Sequence, residues 1–154
     1  MKQLFADHLF LNVLPSKPDG INGSARITDY PELARALTVC AKLHEQFQTY
    51  LEDGLLVGDN LLSEPCREAR VNGYLLSGKA LIVVLNTGTQ PRSIAFNLGM
   101  TPWLDSPSGS YAITAYDETG SVHATRLEDK ASWKETTRVL APNELALYGI
   151  APEK

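Results

Sequence analysis

The side chains with the strongest intrinsic chemistry are three histidines, His8, His44 and His123, and two cysteines, Cys40 and Cys66. The histidines lie in separate segments and no serine stands in a Gly-x-Ser-x-Gly elbow, so they assemble no local hydrolytic triad. His44 and Cys40 share one face of an amphipathic stretch, which reads as packing rather than catalysis. Cys66 follows a proline, and neither cysteine belongs to a Cys-x-x-Cys or Cys/His cluster, so zinc and redox chemistry are not indicated. Phosphate-cradling Gly-rich loops are absent as well. The expectation is a chain with no metal and no cofactor.

Ligand recognition through aromatic stacking is the chemistry left open. Trp103 lies in residues 99–110, a connection long enough to be functional, with Asp105 and Tyr111 beside it. These three residues are the candidate contacts for a carbohydrate. Asp19, in Pro18-Asp19-Gly20, is a further candidate for touching substrate, although turn chemistry accounts for it more simply. For Trp103 and Trp133 the competing reading is plain packing, and an aromatic content of 8% does not suggest a stacking platform.

Whatever these residues do, one compact domain, or one plus a fragment, must position them. The chain has 154 residues, 44% of them hydrophobic, enough for a core without disulfides. Its formal charge of −4, spread without long runs, argues against nucleic acid or an anionic membrane as partner. The longest apolar run, residues 80–85, falls far short of the roughly 20 residues of a membrane helix. No secretion signal is legible at the N-terminus. A soluble, cytoplasmic chain is the expectation.

The pattern along the chain changes near residue 63. An apolar run over 9–14 predicts a buried strand, and two prolines with two glycines over 15–24 predict a loop. A long helix follows, with Asp29 as its cap, Glu32 completing a capping box, Pro31 in the first turn and a stop at Gly54. Its apolar stripe runs through Leu33, Leu37, Cys40, His44, Phe47 and Leu51. Residues 55–62 return as an extended or irregular segment. Beyond them, strands are expected over 70–76, 80–86, 92–98, 111–117, 122–127, 133–140 and 144–150. Ser77-Gly78, residues 118–120 and the longer 87–91 would turn hairpins between them. The segment Ala80-Leu81-Ile82-Val83-Val84-Leu85 is apolar on both faces, which makes it a central strand with the amphipathic helix as its outer cover.

This order of segments resembles the carboxy-terminal end of many glycoside hydrolases. The resemblance rests on Asp29-Tyr30-Pro31-Glu32-Leu33, Leu43-His44-Glu45 and Tyr50-Leu51 on the helix. It extends to Gly73-Tyr74-Leu75-Leu76, residues 80–87 and the closing Asn143-Glu144-Leu145-Ala146-Leu147-Tyr148. It implies that residues 1–62 are the last strand, loop and helix of a (β/α)8 barrel and that 63–154 are a C-terminal β-sandwich domain. Such enzymes carry their catalytic carboxylates on earlier barrel strands. Glycoside cleavage needs two carboxyl groups about 5–10 Å apart, and the acids of this chain offer no convincing pair.

The expected fold is therefore mostly β, an antiparallel two-layer sandwich of Greek-key type preceded by a strand, a loop and a long helix. Its expected role is structural, with Leu37, Phe47 and Leu51 packed against Ile82 and Val84. The expected partner is a catalytic barrel or a second copy of the chain, met through the apolar helix face or an exposed edge at 9–14. Two other roles remain open, a carbohydrate-binding module and a small hydrolase with an unrecognised site.

Overall fold

Alternating apolar residues and turn-forming glycines account for most of the architecture. The computed structural model describes residues 2–7, 27–58, 61, 62, 64, 66–97, 110–129 and 134–153. The strand expected over 9–14 and the loop over 15–24 lie outside them. In chain order the helices are α1 (Lys2–Ala6), α2 (Pro31–Gln46) and α3 (Gln48–Asp53). The strands are β1 (Leu55–Val57), β2 (Ala69–Leu76), β3 (Lys79–Asn86), β4 (Ala95–Asn97), β5 (Ser110–Tyr116), β6 (Val122–Asp129), β7 (Lys134–Thr136) and β8 (Leu145–Pro152). The protein is mostly β. Six strands form one antiparallel sheet in the order β1-β2-β3-β8-β5-β6, and β4 pairs with β7 in a second, two-stranded sheet.

Local chemistry explains the tight turns. Ser77 and Gly78 join β2 to β3, with Leu76 opposite Lys79, and Gly78 supplies the positive φ of +70° that this two-residue turn requires. Between β5 and β6, Asp117 Oδ1 accepts the amides of Thr119 at 2.8 Å and Ser121 at 3.1 Å, while Gly120 takes φ +81°. Residues 87–91 depart from the expected hairpin. β3 pairs with β2 and β8 whereas β4 pairs with β7, so this segment carries the chain from the large sheet to the small one. Asn86, fully buried, holds the crossing. Its Nδ2 donates to the carbonyls of Gln90 at 2.9 Å and Leu140 at 3.0 Å, and its Oδ1 accepts the Gly88 amide at 2.9 Å. The bond to Gly88 satisfies a buried amide, and the others tie the Gln90 and Leu140 carbonyls to the crossing.

The long helix appears with two corrections. Asp29 belongs to a 3-10 turn over Ile27–Asp29, and Tyr30 stands at the cap position without a side-chain capping bond. With the cap one residue later, Glu32 no longer sits at capping-box spacing and pairs instead with Arg35. The helix also breaks at Phe47, whose φ of −110° and ψ of 19° separate α2 from α3. There the Phe47 ring meets Tyr116 edge to face, centroids 5.1 Å apart. Gly54 ends α3 as expected, its amide bonded to the Tyr50 carbonyl at 3.0 Å. A further helix, α1, forms where the sequence shows no signal for one.

The large sheet buries residues on both faces. Toward β4 and β7 lie Val71, Ile82, Val84, Tyr111 and Ile113, packed with Ile94, Phe96 and Leu140. Toward the helices lie Tyr74, Leu81, Val83, Leu85, Leu145 and Leu147, packed with Phe5, Cys40, Leu43, Phe47 and Leu51. β3 is thus an inner strand with the helices as its second cover. The residues meeting the helices are Leu81, Val83 and Leu85, not Ile82 and Val84, and Leu37 is only half-buried. Strands β4 and β7 are shorter than expected. Residues 55–57 pair with β2, Leu55 opposite Leu75, so the return from the helix becomes part of the large sheet.

Candidate functional site

Trp103, Asp105 and Asp19 lie outside the described residues, as do His8 and Trp133. Tyr111 is 0% exposed and belongs to the core on the β4 and β7 side of the large sheet, so it offers no stacking surface to a sugar. His44 is half-buried on α2 and His123 is exposed on β6. Cys40 is buried, and burial pushes its thiol up from the usual range. Among the described residues, no cluster of His, Cys, Asp and Glu could hold a metal ion. Within the same residues, no helix is long and apolar enough to cross a membrane.

A cleft of about 360 Å³ opens between the segment entering β2 and the segment entering β4. Leu62, Glu64 and Cys66 form one wall, and Arg92, Ser93, Ile94 and Ala95 the other. Backbone geometry brings the two together: Leu62 bridges Phe96, and Arg92 exchanges both backbone bonds with Leu140, at 3.0 and 2.8 Å. The Arg92 guanidinium forms an ion pair with Glu68 and donates from Nη1 to Cys66 Sγ at 3.5 Å. Glu64 is the one carboxylate among the described lining residues, so the cleft does not supply the paired acids that glycoside cleavage needs. No motif in the sequence points to this cleft, because its two walls are joined only by long-range pairing.

The contact between helices and sheet is the more extensively built feature. Beyond the apolar core, polar ties among the described residues secure it. Gln46 Nε2 donates to the Gly120 carbonyl at 2.8 Å, and Lys2 pairs with Glu118 at 2.5 Å, both on the β5–β6 turn. Asp7 pairs with Arg70 at 3.5 Å, and Asn72 donates to the Ala6 carbonyl. Cys40, Leu43, Phe47 and Leu51 are thereby covered by the chain's own sheet, while Leu37 is half-buried and Leu33 exposed at the start of the same stripe. Large apolar side chains exposed among the described residues include Leu55 at 58% and Leu56 at 44% on β1, one edge of the large sheet, and Val122 at 64% and Leu127 at 58% on β6, the other edge.

No family model and no curated protein matches the chain. Solved structures do. A GH27 β-L-arabinopyranosidase from Geobacillus stearothermophilus, in complex with arabinose, superposes with a TM-score of 0.52 at 12% identity, over 83% of this chain and 26% of that one. An Anoxybacillus α-amylase superposes with a TM-score of 0.52 at 13% identity, over 99% of this chain and 31% of the amylase. What they share with it is the fold. Both structures are glycoside hydrolases, and the chain spans about a quarter to a third of their length.

Proposed function

We propose that this chain is the carboxy-terminal, non-catalytic part of a glycoside hydrolase, with residues 1–62 closing a (β/α)8 barrel and residues 63–154 forming an accessory β-sandwich domain. The observation carrying this reading is that nearly the whole chain, 83–99% of it, follows only 26–31% of the two enzymes. The remainder of such an enzyme is where paired carboxylates belong, and the cleft between Cys66 and Arg92 has a single acid, Glu64, among its described lining residues. The accessory role is mechanical. Covering apolar surface stabilises an assembly by about 25 cal/mol per Å² removed from water, and the exposed leucines of β1 are where the barrel, or a second copy of the chain, would be met.

Two measurements on the purified chain test this. Assayed against a panel of aryl glycosides, it is expected to show no turnover; turnover lost in Glu64→Gln would make it a hydrolase in its own right. On a glycan array it is expected to bind nothing saturably. Saturable binding abolished by Trp103→Ala would instead make Trp103 and Asp105 the contacts of a carbohydrate-binding module.

A further inference from the structure

Three alanines face one another across the large sheet on the side of β4 and β7. Ala115 of β5 lies opposite both Ala124 of β6 and Tyr148 of β8, and Ala146 stands two residues before Tyr148 on β8. Because alanine adds only a methyl group above the sheet, these positions floor a depression of about 140 Å³. Its rim carries His123, Arg126, Arg138 and Tyr148, and no carboxylate is among the described lining residues.

The rim is arranged by identifiable devices. β6 bulges between Val122, which faces Tyr116, and Ala124, which faces Ala115, so His123 is the extra residue of a β-bulge. Bulges re-aim a side chain, and this one lines the depression. Arg138 Nη2 donates to Glu144 at 2.5 Å and Nη1 to the Val139 carbonyl at 3.2 Å, while Arg126 Nε donates to Glu128 at 3.0 Å. These bonds orient the guanidiniums, and the two on Arg138 do not exhaust a group with five N–H donors. Burial raises the Tyr148 phenol while Arg138 and Arg126 oppose that rise, so the hydroxyl remains a donor at neutral pH.

We propose that this depression binds a small oxyanion, the carboxylate of an acidic sugar or an inorganic phosphate, through Arg126, Arg138, His123 and the Tyr148 hydroxyl. The fit is one of chemistry: the described lining residues supply N–H and O–H donors, the acids Glu128 and Glu144 bond the guanidiniums without being among those lining residues, and guanidinium N–H groups suit the oxygens of a carboxylate or phosphate. Only the acidic-sugar arm rests on the glycoside hydrolase reading.

The test is isothermal titration calorimetry on the full chain at low salt with glucuronate, glucose and inorganic phosphate. Saturable 1:1 binding of an anion, with none of glucose, is the expected result. Glucuronate alone would name the acidic sugar as ligand, and phosphate alone a free oxyanion. Arg126→Gln should weaken binding by about tenfold or more. Ala124→Leu keeps every charge but fills the floor, and should abolish binding. Both positions are exposed on β6, so neither change threatens the fold, which circular dichroism would verify. Failure of both anions to saturate, or binding unchanged in Ala124→Leu, would overturn the site. Either failure would leave the accessory-domain reading standing, since the aryl-glycoside and Trp103→Ala measurements test that separately.

Discussion

Ile82 and Val83 are neighbours on β3 and both are fully buried, yet they belong to different cores: Ile82 faces β4 and β7, and Val83 faces the helices. Alternation along a strand separates them, and the sheet between the two cores keeps them apart. β3 is consequently the member on which both layers depend. Substitutions along it should report on one core at a time.

Leu81→Ala and Ile82→Ala are each expected to lower stability by about 2–5 kcal/mol, since both remove buried methyl groups from packed surroundings. Their partners should differ. Combined with Leu43→Ala of α2 in a double-mutant cycle, Leu81 should show a coupling of about 0.5–3 kcal/mol and Ile82 none. Urea denaturation of the three single and two double variants checks this, and equal coupling would refute the division into two cores.

Asn86 is expected to tolerate no apolar replacement. Asn86→Leu would strand the buried Gly88 amide and take one donor from each of the Gln90 and Leu140 carbonyls, the latter keeping the Arg92 amide. A stranded group costs about 1–3 kcal/mol. A lowered urea midpoint is the expected outcome, and an unchanged midpoint would refute the role of Asn86 at the crossing.

Stability should fall in acid partly through Asp117. The hydrogen bond from the Thr119 hydroxyl, with backbone amides assisting, holds its carboxyl below the ordinary value. A carboxyl depressed in the folded state stabilises the protein fully above its unfolded pKa, about 3.9, and loses that contribution as pH falls toward the folded value. Melting temperatures measured between pH 7 and pH 3 should decline more steeply for the parent protein than for Asp117→Asn, which keeps the turn's acceptor without the titration.

The two thiols should react differently with Ellman's reagent. Cys40 is buried beneath α1 and the sheet, whereas Cys66 lines the open cleft. One thiol should titrate in the native protein and two after denaturation. The native signal should vanish in Cys66→Ser and persist in Cys40→Ala.

Much of the fold was legible because its causes are local. The stop at Gly54, the Ser77-Gly78 turn and the both-faces-apolar run over 80–85 each follow from a residue and its immediate neighbours. Strand boundaries for β2, β3, β5 and β8 fall within two residues of expectation. The candidate sites were far less legible. Tyr111 has the chemistry of a ligand contact, and only its place in the core shows that its ring is inside. Neither cleft is written in a motif: Cys66 meets Arg92, and Arg126 approaches Arg138, only because distant strands pair.

The sequence by itself determined the helical stretch ending at Gly54, the strands β2, β3, β5, β6 and β8, the turns at 77–78 and 118–120, and that β3 lies within the sheet. These depend on backbone preference and hydrophobic period, which act over a few residues. Tertiary structure alone decided which side of β3 meets the helices. Alternation labels two faces without saying what covers either, and a shift of one residue exchanges them. It also decided that β8 lies between β3 and β5, that β4 leaves the large sheet for β7, and that α2 breaks at Phe47 against Tyr116. Each of these is settled by pairing or packing between residues far apart in the chain.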